Sequence, residues 1–164
     1  MPERVLAIVD TNVLITANGR GHMVPATCSE SCIDSLLDIR DRNSLVLDEH
    51  GKILEEYASH CNHSGQPGVG DEFFRWAFQS QYTSCRRVVL TPDDDRGYRE
   101  FPDAPELSKF DRSDRKFVAT ALSCDLAAEI LNAVDSDYAQ FADALKDAGV
   151  TVIELCPDCL KHAG

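Results

Sequence analysis

The sequence predicts an α/β fold, a three-layer sandwich around a central parallel sheet of about five strands, and three observations lead there. Short β-branched apolar runs recur along the chain, around residues 5–9, 44–48, 88–90, 130–134 and 150–155. The segments between them carry apolar residues at helical spacing. Their order, β, α, α, β, α, α, β, α, β, α, β, implies helical crossovers and therefore parallel strands.

The first run, Val5 to Val9, ends on Asp10 and passes at once to Thr11 and Asn12, which start a short helix reaching about Ala17. A glycine- and proline-containing loop leads to a second helix in SESCIDSLLDIRD, with Cys32, Leu36 and Ile39 on one face and Ser29 or Ser31 as its cap. Ser44 to Asp48 forms the next strand, and His50 to Cys61 a helix with Ile53, Tyr57 and Cys61 along one side. Asp71 caps the aromatic helix that follows, whose Phe73, Phe74, Trp76 and Phe78 are expected in the core or on a dimer face. Val88 to Leu90 is the third strand. The charged, proline-punctuated stretch 91–111 is the longest irregular segment, a length usually associated with function or mobility. Ser113 caps a helix through Phe117, Ala121 and Leu122. Ile130 to Val134 forms a strand ending on Asp135, with Asp137 just beyond. An amphipathic helix then stops at Gly149, and Val150 to Leu155 is the last strand.

At 164 residues the chain fits one domain. It contains no run of about 18 apolar residues, and its first strand starts too early to leave room for a signal peptide, so a cytoplasmic protein without membrane contact is expected. The net charge of -12 argues against a broad electrostatic grip on nucleic acid. It leaves room for an enzyme whose carboxylates hold a divalent metal that meets phosphate in their place. The seven cysteines are expected as buried thiols or metal ligands, not as a disulfide framework.

If the first and fourth strands are neighbours, Asp10 and Asp135 share the C-terminal edge of the sheet, where open α/β sheets bind ligands. Asp114, at a helix start, approaches the same edge, and Glu55 or Glu56 arrives from the helix after the second strand. Such a ring of carboxylates, with no obvious Lys or Arg inside it, calls for a hard divalent cation, Mg²⁺ or Mn²⁺.

The blocks VDTNVLI, ILEEY, DRKFVATAL and NAVDSDY, in this order from Asp10 to Tyr138, resemble the PIN-domain ribonucleases. The resemblance implies a PIN-like nuclease domain over residues 1–155, followed by a Cys-containing tail at 156–164. It implies metal-dependent hydrolysis of RNA phosphodiesters by activated water, at a site holding Mg²⁺ or Mn²⁺. Carried over residue by residue, it makes Asp10, Glu56, Asp114 and Asp135 the catalytic and metal-binding acids, with Glu56 favoured over Glu55. Asp137 is an accessory metal ligand, Asn12 and Thr11 position by hydrogen bonding, and Asp111 is a less favoured substitute for Asp114. RNA is the expected substrate. A toxin would pair with an antitoxin-like protein, an RNA-processing enzyme would not, and the long segment from Gly65 to Pro105 would shape a substrate groove or a homodimer contact. A catalytically inactive PIN-like module that binds protein or nucleic acid is the competing expectation.

In the tail, CPDC with His162 has the spacing of half a zinc site. Cys28, Cys32, Cys61 or His63 would have to complete it and no spacing demands that, so structural thiols are expected there and zinc is not. Arg86, Arg87, Arg96 and Arg99 are expected mainly to neutralise local acids.

Overall fold

The computed structural model describes residues 5–21 and 23–160, so His162 lies outside the described residues. Strand β1 (Leu6–Val9), fully buried, pairs in parallel with β6 (Ala128–Asn132), in the register Leu6 to Ala128 through Val9 to Leu131, and β6 pairs in parallel with β7 (Thr151–Glu154). A second parallel pair joins β2 (Val46–Asp48) to β3 (Arg86–Val88). The architecture is therefore mixed α/β with parallel strands, but the sheet differs from the expected five. It is three-stranded, in the order β1-β6-β7, and meets the β2-β3 pair only through a single parallel bridge between Ala7 and Leu45. With three residues in each of β2 and β3, no longer ladder forms there. A small antiparallel hairpin, β4 (Pro92–Asp93) and β5 (Gly97–Tyr98), occupies the stretch expected to be irregular.

Helix α1 (Thr11–Ala17) leaves β1 directly, and α2 (Ala26–Arg42) returns across it. Pro25 precedes the first turn of α2, so the helix starts earlier than expected and Ser29 and Ser31 lie inside it instead of capping it. After β2 come α3 (Lys52–His60) and α4 (Val69–Ser80). Asp48 ends β2 and accepts the backbone N–H groups of Lys52 and Ile53, each at 2.8 Å, so this strand-end acid serves as a helix cap. The N-cap of α4 is Gly68 and not Asp71, which lies inside the first turn and bonds back to it, accepting the Gly68 N–H at 3.0 Å and also the Asn62 N–H at 2.9 Å. Gly70 lets α4 press against α1, because a Cβ there would stand 2.2 Å from the Leu14 carbonyl oxygen. Phe73 and Phe74 are core residues, whereas Phe78 is half exposed.

The third strand is displaced from 88–90 toward Arg86–Val88, where the Arg86 N–H bonds the Leu45 carbonyl, while Val89 turns outward. Arg86 pairs with Asp125 and Arg96 with Asp103. A 3-10 turn at Arg112–Asp114 leads into α5 (Arg115–Ser123), and its cap is Asp111, not Ser113. The buried Arg115 guanidinium donates to the carbonyls of Arg96, Ser108 and Phe110, tying the segment 96–110 to the start of α5. Strand β6 ends at Asn132, three residues before Asp135. Helices α6 (Asp137–Gln140) and α7 (Ala142–Asp147) follow, and α8 (Pro157–Leu160) closes the described chain. Gly149, at φ +91°, turns the chain from α7 into β7.

The described residues include one disulfide, Cys28 to Cys156, which joins the first turn of α2 to the end of β7 with Cα atoms 5.3 Å apart. For these two cysteines the expectation of free thiols is corrected, because the fold places residues 128 apart in sequence side by side. Cys32 and Cys61 are buried free thiols. Among the described residues, no helix is long and apolar enough to cross a membrane.

Candidate functional site

Strand β1 delivers Asp10 to the C-terminal edge of the parallel sheet, where the Asp10 N–H continues the ladder to the Leu131 carbonyl at 3.1 Å. Asp10 is the N-cap of α1. Its Oδ1 accepts the Asn12 backbone N–H at 3.0 Å and the Asn12 side-chain amide at 2.7 Å, and its Oδ2 accepts the Tyr138 hydroxyl at 2.7 Å. Register places Asp10 in line with Asn132 and not with Asp135. The chain after β6 bends back, and Asn132 holds the bend: its amide donates to the Asp135 carbonyl at 2.8 Å and to Glu154 at 2.8 Å.

Asn12 ties this bend to α1. Its Oδ1 accepts the Ala133 and Val134 N–H groups at 2.9 and 3.2 Å, while its amide donates to Asn132 Oδ1 at 2.9 Å as well as to Asp10. Replacing Asn12 with Ala strands the N–H of Ala133, a fully buried residue, and removes three further bonds. The expected cost is about 1–3 kcal/mol, read as a lowered urea midpoint at unchanged slope; an unchanged midpoint would deny Asn12 this part.

As a result, Asp10, Asp114 and Asp135 each present a carboxylate oxygen to one point, these oxygens lying within 4.8 Å of one another. Asp111, Asp114 and Asp137 form a second triad of the same kind, sharing Asp114. Burial raises the pKa of Asp10 to about 6 against the lowering effect of the Asn12 and Tyr138 hydrogen bonds, with Asp135 and Glu56 adding repulsion. Asp114 rises further, to about 9, through burial, the charges of Asp10 and Asp135, and a hydrogen bond shared with Asp135. Asp137 is also raised, first by burial and then by Asp135 and Asp111. Without a cation, this cluster retains protons that ordinary aspartates release.

Comparison of the chain with protein-family models, curated proteins and solved structures returns no match.

Glu56, not Glu55, faces the cluster. Glu55 is exposed and sits 3.8 Å from Lys52, whereas Glu56 Oε2 accepts the Thr11 hydroxyl and Oε1 the Lys116 ammonium, the latter at 2.7 Å. Glu56 therefore lies beside the triad and outside it. Lys116 corrects the expectation that no basic side chain enters the ring: it is nearly buried, donates also to the Ser113 carbonyl, and neutralises Glu56. An open cleft beside this pair is lined by Lys52, Glu56, Ser59, Tyr98, Arg112 and Lys116.

Tyr138, Asn132, Glu154 and Lys116 are participants that sequence reasoning missed. Lys116 was legible in part, since it stands two residues from Asp114 at the same helix start. Asn132 would have followed from the correct end of β6. Glu154 follows only from the pairing of β6 with β7, where it lies opposite Asn132.

Proposed function

We propose that the chain is a PIN-like, metal-dependent ribonuclease that hydrolyses RNA phosphodiesters at the Asp10, Asp114 and Asp135 triad. The observation that carries the reading is the convergence of three carboxylates from three separate elements on one point, with raised pKa values at Asp10 and Asp114. Lys116, which enters the site from the start of α5, is committed to Glu56. This donor set suits Mg²⁺ or Mn²⁺: all ligands are hard oxygens, and octahedral coordination at about 2.1 Å separates ligand oxygens by about 3–4 Å, which fits oxygens lying within 4.8 Å of one another. The same reading takes the two parallel sheets, touching at Ala7 and Leu45, as the core of one three-layer sandwich.

Asp10, Asp114 and Asp135 would hold the ion, with Asp137 and Asp111 able to serve a second through the shared Asp114. When bound, such an ion supplies Lewis acidity toward the phosphate and makes a water nucleophilic at neutral pH. The chain's own contributions are distinct. Asn12 and Tyr138 fix both oxygens of Asp10, Thr11 and Lys116 fix Glu56, and the Lys116 ammonium beside the cleft favours approach of a phosphate. One of the acids accepts the proton that the attacking water loses. The test is cleavage of single-stranded RNA with Mn²⁺ supplied: cleavage abolished by EDTA and by Asp10→Asn supports the reading, and cleavage that survives both removes it.

A further inference from the structure

Away from the acids, three cysteine sulfurs meet at the junction of α2 with the end of β7, and a fourth cysteine follows within one turn. Cys28 and Cys32 are four residues apart on α2 and so share a face, both buried, with Cys32 fully enclosed. Cys156 is buried just after β7, and Cys159 stands three residues later in α8, its N–H bonded to the Cys156 carbonyl at 3.0 Å. The sulfurs of Cys28, Cys32 and Cys156 all lie within 4.8 Å of one another. Cys159, in the same turn as Cys156, is the next thiol along the chain and makes the second pair.

A bridge between Cys28 and Cys156 uses two of these four residues and gives no reason for the other two. A buried thiol such as Cys32 can be simple packing, but convergence of a Cys-x3-Cys pair with a Cys-x2-Cys pair from the far end of the chain is what a closed tetrahedral zinc site uses. Zinc–sulfur bonds of about 2.3 Å place the sulfurs of a tetrahedral site about 3.8 Å apart, and those of Cys28, Cys32 and Cys156 already lie within 4.8 Å of one another. We propose that Cys28, Cys32, Cys156 and Cys159 form a structural Zn²⁺ site in the reduced protein, clamping α2 to the end of β7.

The binding step is Zn²⁺ plus four thiols giving a tetrathiolate complex and four protons. No electrons move, and the Cys28–Cys156 pair must be in its dithiol form. A phosphine reductant supplies that form, taking the disulfide and one water to two thiols and phosphine oxide. The disulfide and the zinc site thus use the same two sulfurs in alternative ways, the dithiol belonging to a reducing environment. Because the clamp links residues separated by 128 positions, zinc there would close a long loop and contribute to folding stability.

The test uses the untagged full chain, expressed with zinc in the medium and purified under a phosphine reductant. About one zinc per chain is expected, together with an intense sulfur-to-cobalt charge-transfer spectrum when Co²⁺ replaces it. Oxygen ligands give no such spectrum, so binding at Asp10, Asp114 and Asp135 is separated from binding at the thiols. Cys159→Ser changes a partly exposed position and should preserve the fold, as checked by circular dichroism, yet weaken metal retention by at least about 100-fold. Cys85→Ser, remote from the group in sequence, should retain the wild-type spectrum. Reduced wild-type protein that binds no zinc and shows no cobalt–thiolate spectrum would overturn the proposal, as would a Cys32→Ser, Cys159→Ser double variant that binds like wild type.

Discussion

Asp10→Asn is expected to lower metal-dependent RNA cleavage by more than about 100-fold while leaving the fold intact. Changes outside the ligand shell of a metal site already cost about 10–100-fold, and this one removes the charge of a proposed ligand. The fold should survive because asparagine has the same shape. Its side-chain oxygen can still accept from Asn12, and its amide can face the Tyr138 hydroxyl. The variant also relieves repulsion, since Asp10 is buried and crowded by Asp135 and Glu56. Its metal-free melting temperature should therefore match or exceed that of wild type. Full activity in Asp10→Asn with Mn²⁺ present would contradict the assignment, and a collapsed circular dichroism spectrum would contradict the structural part of the argument.

The second large effect is on stability, and its sign follows from the direction of the pKa shifts. Burial pushes the carboxyls of Asp10 and Asp114 up to about 6 and about 9 in the folded chain, from the ordinary aspartate value of 3.8. Above pH 4, the folded state holds protons that the unfolded state has released. Stability from these groups is therefore complete below about pH 4 and declines as pH rises through about 6 and toward about 9. Metal-free protein should melt progressively lower across that window. Mg²⁺ or Mn²⁺ should reverse the trend, because a cation replaces the retained protons. At 100 times its dissociation constant a ligand stabilises by about 2.7 kcal/mol, or about 5–10 °C for a chain of this size. Thermal melts from pH 5 to 9, with EDTA and with Mn²⁺, check both statements. A metal-free melting temperature that climbs toward pH 9 would contradict them.

Much of the fold was legible because its strands are short apolar runs that end on polar residues. The parallel direction of β1 and β6 is the decisive instance, since it follows from the order of elements, whereas their adjacency entered only as a condition and is supplied by the structure. The ends of β1 at Val9 and β2 at Asp48 fell where expected, and what escaped was the end of β3 and of β6. Asp135 looks like a strand terminus in sequence, yet the strand stops at Asn132 and side-chain hydrogen bonds from Asn12 and Asn132 shape the return of the chain. No periodicity encodes such a bend. The sheet was overestimated for a related reason: β2 and β3 have the residues of strands, but their ladder to β1 is a single bridge.

Among the acids, similar sequence contexts led to different uses. Asp48 and Asp10 both end strands, and the first is spent on capping α3 while the second meets Asp114 and Asp135. Their separation depends on which neighbours the tertiary fold brings, not on local sequence. Lys116 shows the same limit, since its pairing with Glu56 joins residues 60 apart. The cysteines show it over the longest span, as Cys28 and Cys156 become neighbours only once β7 is laid beside β6 and its end meets α2.

The most direct measurement is a crystal of the protein soaked in Mn²⁺, with diffraction collected at the manganese absorption edge. An anomalous peak bonded to oxygens of Asp10, Asp114 and Asp135 is the predicted result. Saturating Mn²⁺ that leaves no peak at this triad would contradict the account.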